Sequence, residues 1–155
     1  MKISAGILLF RKRSSIEFFL VHPGGPFWKN KDDGWWTIPK GEISASEEPL
    51  TAALREFEEE TGLKVKGNPI QLNPIKQKAG KLVMAWAVEG DIDPLKIHSN
   101  SFEIEWPPRS GKMKSFPEVD KAGWFDLATA KIKILPAQVG LLEEVAGWGM
   151  VSGEW

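Results

Sequence analysis

The segment from Ser46 to Gly62 limits the possible folds of this chain more than any other, because it carries a complete set of helix signals. Ser46 is a candidate N-cap, and the two glutamates after it suit the positive end of a helix dipole. One face is apolar at helical spacing, through Leu50, Ala53, Leu54 and Phe57. Gly62 can adopt the positive φ that commonly ends a helix. The sequence therefore predicts an amphipathic helix over Glu47–Thr61.

Runs of β-forming residues lie on both sides of this helix. Ile3–Phe10 and Glu17–His22 precede it and predict two strands joined by a turn. Ile70–Gln77 and Lys81–Glu89 follow it and predict a second strand pair, and Trp124–Phe125 predicts a further short strand. These elements together indicate a mixed α/β domain.

The remaining segments are less regular. Residues 23–34 collect proline, glycine, asparagine and aspartate, a composition typical of a loop. Asp91–Pro117 is also rich in turn residues, although Phe102, Ile104 and Trp106 alternate with glutamates as in an edge strand. Pro136–Ala146 predicts a last helix. No repeat of the length found in solenoids or propellers is present in the sequence.

Length and composition exclude several classes of function. A chain of 155 residues predicts one domain, residues 1–155, with a core of its own. It has no cysteine, which excludes a disulfide framework, a thiol nucleophile and an iron–sulfur site. A net charge of −1 argues against general nucleic-acid binding. No apolar run approaches the ~18–20 residues that cross a bilayer, so we expect no membrane span and a cytoplasmic location.

Three glutamates of the predicted helix lie on one side of it. Glu56, Glu59 and Glu60 are spaced i, i+3 and i+4, where like charges repel one another. Such a run is most often a solvated acidic surface. A bound divalent cation would relieve the repulsion, and carboxylate oxygens favour Mg²⁺ or Mn²⁺.

The residues around this cluster follow a fixed pattern. Its order is Gly41, five residues, Glu47, seven residues, Arg55-Glu56-Phe57, one residue, Glu59-Glu60, one residue, and Gly62-Leu63. The pattern resembles the Nudix box, G-x5-E-x7-R-E-U-x-E-E-x-G-U with U a bulky apolar residue, at every defined position. This resemblance to the Nudix hydrolase family implies an α/β/α sandwich around a mixed β-sheet.

The resemblance also implies a reaction, the Mg²⁺- or Mn²⁺-dependent hydrolysis of a nucleoside diphosphate linked to a group X. On the family pattern Glu56 and Glu60 are metal ligands, and Glu59 is a ligand or the base that activates water. Arg55 fixes the rotamer of one of these carboxylates, so Arg55, Glu56 and Glu59 are the catalytic candidates. Glu47 supports the loop before the helix. The backbone carbonyl of Lys40 is a further expected metal ligand.

A further carboxylate of this family often comes from a loop near a late strand. Glu118 stands shortly before Trp124–Phe125 and is the candidate for this ligand. Glu103 and Glu105 compete for the role, and a solvated turn is the alternative interpretation of Glu118.

Substrate-binding candidates are basic and aromatic residues outside the box. Lys40 could neutralise an additional phosphate, and Arg109, Lys112 and Lys114 could extend a basic rim. Indole rings stack on any nucleobase, and the tryptophans in or beside loops are Trp28, Trp35, Trp36 and Trp106. Trp86 and Trp124 are expected in the core. We interpret His22 and His98 as structural or surface residues.

Three functions remain open on the sequence. The first is hydrolysis of dinucleoside polyphosphates, diadenosine polyphosphates above all, or of nucleoside triphosphates. The second is hydrolysis of ADP-ribose, a nucleotide sugar or an RNA 5′ end by the same helix. The third is a non-catalytic module that senses a nucleotide, against which three intact glutamates argue. The expected partner is in each case a nucleotide, and the oligomeric state is unknown.

Overall fold

The computed structural model describes residues 2–152, with side chains through residue 149. Within this range the strands are β1 Ile3–Lys12, β2 Ile16–Pro23, β3 Lys40–Glu42, β4 Ile70–Gln71, β5 Ile75–Lys76, β6 Leu82–Glu89, β7 Ser101–Glu105, β8 Met113–Pro117 and β9 Val119–Asp126. The helices are α1 Pro49–Thr61, α2 Leu127–Lys133 and α3 Val139–Ser152, with short 3₁₀ turns at Lys78–Gly80, Pro94–Lys96 and Pro136–Gln138.

Seven of these strands form one mixed sheet in the order β4-β6-β1-β2-β9, with β3 paired to β1 and β5 paired to β6. β1 and β6 are parallel, whereas β2 is antiparallel to both β1 and β9. As a result β6, β1 and β9 all begin at the same end of the sheet. β3 pairs with the first residues of β1 at this end, where Lys40 lies opposite Gly6. We call the end of the sheet at which β6, β1 and β9 begin its N-terminal end.

Helices cover both faces of the sheet. Ile7 and Leu9 of β1 point toward α1, where they pack with Ala53 and Phe57. Leu8, between them, points to the other face and packs in the cluster that α2 and α3 complete. Because both faces are covered, the successive residues 7–10 of β1 are all apolar instead of alternating. The predicted α/β/α sandwich around a mixed sheet is confirmed. No helix within residues 2–152 is long and apolar enough to cross a membrane.

The predicted long helix is present but begins later than expected. It starts at Pro49, and Ser46 is not its N-cap, since that residue has a φ of 70° and Glu48 occupies the cap position. Proline suits the first helical position and pushes the residue before it into an extended conformation, which explains the boundary. Gly62 ends the helix in the left-handed conformation, as predicted.

Other segments depart further from the sequence predictions. Ile70–Gln77 is broken into β4 and β5 around Asn73-Pro74, where proline removes a ladder donor. The short strand predicted at Trp124–Phe125 is the end of the longer strand β9. The edge strand expected around Ile104 pairs with β8 in a separate hairpin. The helix α2 was not predicted, although the Asp126 side chain caps it by accepting the Thr129 N–H.

Candidate active site

The carboxyl group of Glu56 lies where β3 and α1 meet at the N-terminal end of the sheet. The residue is only 9% exposed. Its Cδ would be 2.1 Å from a Cβ at Gly41, so only glycine leaves room for the carboxyl group at this position. The glycine that opens the motif therefore creates the pocket for the carboxyl group of Glu56.

Arg55 holds the helix and the preceding loop together. Its guanidinium donates to both oxygens of Glu47, at 2.8 and 2.9 Å, and to the backbone carbonyl of Glu42. It also donates to Glu56 at 2.8 Å and to Glu59 at 3.2 Å. A bidentate arginine–carboxylate pair is geometrically specific. Arg55 thus orients two of the glutamates while it fixes the loop between β3 and α1.

The Arg55 side chain lowers the pKa of Glu47 to about 2 through these hydrogen bonds. A carboxyl group whose pKa is depressed on folding stabilises the protein above its ordinary pKa, and the contribution is lost as the pH falls toward the folded value. We therefore expect Glu47→Gln to be less stable than the wild type near neutral pH. The difference in melting temperature should shrink between about pH 4.5 and pH 2.

Calorimetric melting of both proteins across this range measures that difference. Glu48→Gln, at the exposed neighbouring position, is the matched control and should show no such convergence. A Glu47→Gln difference that stays constant with pH would contradict the ion pair.

In the remaining carboxylates of the site, burial and the neighbouring negative charges disfavour the ionised form. Burial raises the pKa of Glu60 to about 9, and the nearby carboxylates of Glu56 and Glu118 add to the effect. The Lys40 ammonium and a hydrogen bond from the Lys40 backbone N–H oppose it. Burial also raises the pKa of Glu118, followed by the charges of Glu56 and Glu59. Four carboxylates from two distant parts of the chain are therefore close enough to interact.

Backbone hydrogen bonds bring Glu118 to the helix. The Glu118 N–H donates to the Asn100 carbonyl, and the Asn100 N–H donates to the Glu59 carbonyl at 2.7 Å. Glu105 lies elsewhere, because its carboxylate accepts the N–H groups of Arg109 and Gly111 and closes the turn of the β7–β8 hairpin. Of the three acidic candidates outside the box, Glu118 is the one that interacts with the helical glutamates.

Comparison with known proteins places the whole arrangement in a family. The NUDIX domain model matches residues 1–145. The chain belongs to the NUDIX family. Its fold is also that of the Ap4A hydrolase of C. elegans, crystallised as a binary complex, with a TM-score of 0.67, 22% identity, and coverage of 97% of this chain and 98% of that one. The NUDIX domain of Shewanella oneidensis NrtR, complexed with ADP ribose, aligns with a TM-score of 0.62, 17% identity and coverage of 92% and 84%.

Two curated relatives are similar in sequence over part of their length. An asymmetrical bis(5′-nucleosyl)-tetraphosphatase of Rattus norvegicus is 32% identical over 101 aligned positions. The alignment covers 56% of this chain and 63% of that protein. An octanoyltransferase of Myxococcus xanthus is 34% identical over 112 residues, 72% of this chain and 28% of that protein. The chain thus spans less than two thirds of the length of either relative.

The carboxylates of this NUDIX domain suit a divalent cation in their chemistry. All are hard oxygen ligands, and the carboxyl group of Glu56 is held in the pocket left by Gly41. Among the residues that the structure describes, no three acidic or histidine side chains are already close enough to form a ready metal site. A cation would have to draw the carboxylates of Glu56, Glu60 and Glu118 together and replace the proton that burial favours on Glu60.

Lysines line the same end of the NUDIX sheet. Burial lowers the pKa of Lys40, the charge of Glu60 opposes this, and the charge of Lys81 contributes to the lowering. The Gln77 N–H donates to the Lys81 carbonyl and closes a tight turn that also contains Lys78. Sequence reasoning missed Lys78 and Lys81, because their turn comes near Lys40 only through the pairing of both β6 and β3 with β1. A cavity of about 530 Å³ beside this turn is lined by Asp33, Gly34, Trp35, Gln77, Lys78, Leu135, Pro136 and Ala137.

The tryptophans predicted to bind substrate lie in different places. Trp36 is 6% exposed, its Nε1 donates to Asp32, and its ring packs edge-on against Phe125 in the core. Trp36 therefore offers little surface to a substrate in this structure, and its predicted contact with substrate stays a prediction. Its neighbour Trp35 points the opposite way, is 37% exposed, and packs against Trp28 with ring centroids 5.4 Å apart. Successive side chains of an extended segment point to opposite sides. Trp35 therefore lines the cavity, and Trp36 packs in the core.

The lysines predicted on the irregular segment are not among the carboxylates. Lys114 is on β8 and Lys112 is at the turn before it, both exposed.

Trp86 is 7% exposed, which confirms its predicted place in the core. His22 is fully buried, and its two ring nitrogens contact Asp120 and the Lys31 carbonyl at 2.8 and 2.6 Å. This agrees with a structural role, since the histidine ties the loop before Trp35 to β9.

Proposed function

We propose that this NUDIX protein is a divalent-cation-dependent pyrophosphohydrolase whose substrates are dinucleoside polyphosphates. One observation carries the proposal. At one end of the sheet the carboxylates of Glu56 and Glu60 interact electrostatically with each other and with the ammonium of Lys40, and the charge of Lys81 also acts on Lys40. The similarity to a bis(5′-nucleosyl)-tetraphosphatase supports the choice of substrate class.

The acidic residues divide the work in this proposal. Glu56, Glu60 and Glu118, with the Lys40 carbonyl, hold Mg²⁺ or Mn²⁺. A bound cation supplies charge neutralisation of the diphosphate and a water of lowered pKa. Glu59 is the proposed base, because its carboxylate is 35% exposed and is oriented by Arg55. Arg55 and Glu47 are positioning residues.

The basic and aromatic residues bind the rest of the substrate. The ammonium groups of Lys40 and Lys81 pair with phosphates that the cation does not neutralise. Lys78 and the exposed ring of Trp35 line the cavity next to them, which has the size and the mixed polar and apolar lining of a nucleoside site. A substrate with a longer phosphate chain makes more of these contacts than a diphosphate does.

A substrate panel tests the proposal directly. The purified protein is incubated with Mg²⁺ and nucleoside triphosphates, diadenosine tetra- to hexaphosphates, ADP-ribose or nucleotide sugars, and the products are separated by chromatography. We expect the highest kcat/KM for a diadenosine polyphosphate. A higher kcat/KM for ADP-ribose or a nucleotide sugar would make this protein an ADP-ribose or nucleotide-sugar hydrolase instead. Binding without any hydrolysis would make it a nucleotide-sensing module.

Replacing Lys81 with alanine tests the role of the lysines. If the Lys81 ammonium donates a hydrogen bond to a phosphate present only in the longer substrates, Lys81→Ala should lower kcat/KM for diadenosine tetraphosphate roughly 10- to 150-fold. This factor corresponds to a loss of about 1.5–3 kcal/mol of transition-state stabilisation. The value for ADP-ribose should change much less. Steady-state kinetics on both substrates measure the difference. Lys66→Ala is the control, because Lys66 is an exposed lysine beside the end of β6, at the opposite end of the sheet. An equal loss on both substrates would show that Lys81 only shapes its turn.

A further inference from the structure

The β7–β8 hairpin has two chemically different faces. The register pairs Phe102 with Phe116 and Ile104 with Lys114, and the Trp106 N–H extends the ladder to the Lys112 carbonyl. Directly opposed residues share a face, so one face carries four apolar side chains along its length and two lysines near its tip. The opposite face carries Ser101, Glu103, Glu105, Met113 and Ser115.

The apolar face of the hairpin leans on the loop before β3. At its base the ring of Phe102 lies against Gly25. At its tip Trp106 meets Phe27 edge-on, with ring centroids 5.5 Å apart and planes at 83°. In an edge-on pair the ring that offers its edge keeps both faces uncovered by its partner. Phe27 is 58% exposed, although burial of its ring would be favourable, so this aromatic pair has free surface for a ligand.

The hairpin is anchored at the carboxylates and extends away from them. Asn100, which precedes β7, bonds the Glu59 carbonyl, and Glu118, which follows β8, belongs to the carboxylate cluster. Five extended residues separate this base from the tip, a distance of roughly 16 Å. A nucleotide whose base lies in the cavity beside Trp35 leaves this tip unoccupied. A second nucleoside joined through a chain of phosphates is long enough to reach it.

The charges near the tip suit such a chain. Lys112 and Lys114 are on the face of Trp106, and Arg109 is in the adjoining turn. The two glutamates of the hairpin strands point to the other face, and Glu105 is already bonded to the turn. A phosphate chain that runs from the carboxylates along this face therefore passes cations and no acidic side chain of the hairpin.

We propose that Phe27 and Trp106 form a subsite for the second nucleobase of a dinucleoside polyphosphate, with Lys112 and Lys114 beside the phosphates that lead to it. The inference rests on the proposed function. The lysines predicted from the sequence to bind substrate then act at the far end of the substrate and not at the metal. The subsite also distinguishes two substrates with equal numbers of phosphates, one with a base at each end and one with a base at one end.

Diadenosine tetraphosphate and adenosine 5′-tetraphosphate are the matched pair of substrates. Trp106→Ala and Phe27→Ala should each raise KM for the dinucleoside compound by roughly 5- to 100-fold, the size of one base–aromatic stack. KM for adenosine tetraphosphate and kcat for both should stay within about twofold, because the reacting phosphates are bound elsewhere. Trp106→Phe should restore most of the lost selectivity. Met113→Ala, on the opposite face of the same hairpin and 62% exposed at that side chain, is the control.

Equal rises in KM for both substrates, or a rise with Met113→Ala, would overturn the subsite in favour of a purely structural pair. Equilibrium binding of the same two compounds separates this inference from the hydrolase proposal. If the wild type hydrolyses neither compound yet binds the dinucleoside compound more tightly in a Trp106-dependent way, the subsite stands and the hydrolase proposal fails. If the affinity gap between the compounds does not depend on Trp106, the subsite fails whatever the rates are.

Discussion

Replacing Glu60 with glutamine should lower kcat by at least ~10²-fold while the protein stays folded. Glutamine keeps the size of the side chain and its helix propensity, but it cannot supply a charged ligand to a cation. In the wild type this carboxyl group is held in a desolvated position, where its pKa is raised to about 9. Steady-state kinetics with saturating Mg²⁺ measure the change.

Glu58→Gln provides the matched control, because Glu58 is on the same helix but points to solvent. It should turn over substrate at the wild-type rate. Mg²⁺ should raise the melting temperature of the wild type and of Glu58→Gln, since a ligand of the folded state stabilises it, and the shift should be smaller in Glu60→Gln. Near-normal turnover in Glu60→Gln would contradict the proposal that Glu60 is a metal ligand. A wild-type melting temperature that does not change with millimolar Mg²⁺ would contradict it as well.

Gly41→Ala should be nearly as damaging as the loss of a glutamate, although it removes no functional group. The new methyl group would lie 2.1 Å from the Cδ of Glu56, so the carboxyl group or β3 must move. Overpacking of this kind typically costs about 1–3 kcal/mol of stability. Because Glu56 also leaves its place in the carboxylate cluster, we expect kcat to fall by on the order of 10²-fold as well.

Gly140→Ala is the comparison for that experiment. Gly140 is on α3 and a Cβ there meets no atom within 4 Å, so alanine should leave activity unchanged and raise stability slightly. Chemical denaturation and kinetics on the two variants separate the effects on folding and on turnover. A Gly41→Ala protein with wild-type kinetics would show that the position of Glu56 is not needed for the reaction.

The helix and its acidic residues could be predicted because their signals are local. Apolar spacing, a terminal glycine and three glutamates within one turn all lie in one short segment. The helix start was misplaced because Pro49 outweighs the capping residue Ser46. The sequence also could not tell which of the adjacent Trp35 and Trp36 faces the core, since two neighbouring tryptophans carry no sign of their orientation.

Features that depend on long-range pairing were harder to predict. Phe102 and Ile104 alternate with glutamates as a strand does, but the partner strand β8 mixes lysine, serine and one phenylalanine without a clear pattern. Lys81 looks like any surface lysine until β6 is placed next to β1. Glu118 was found through the resemblance to the family and not from local chemistry, because its neighbours in sequence say nothing about its distance from α1.

The attachment of the β7–β8 hairpin has an evolutionary consequence. Its base is joined to the acidic helix through peptide groups, from the Asn100 N–H to the Glu59 carbonyl and from the Glu118 N–H to the Asn100 carbonyl. Peptide groups are the same for every amino acid, so residues between these anchors can be replaced, shortened or exchanged without changing the groups that form the joint. The hairpin is thus a replaceable module, whose strands can change in sequence and length while its joint to the acidic helix stays the same.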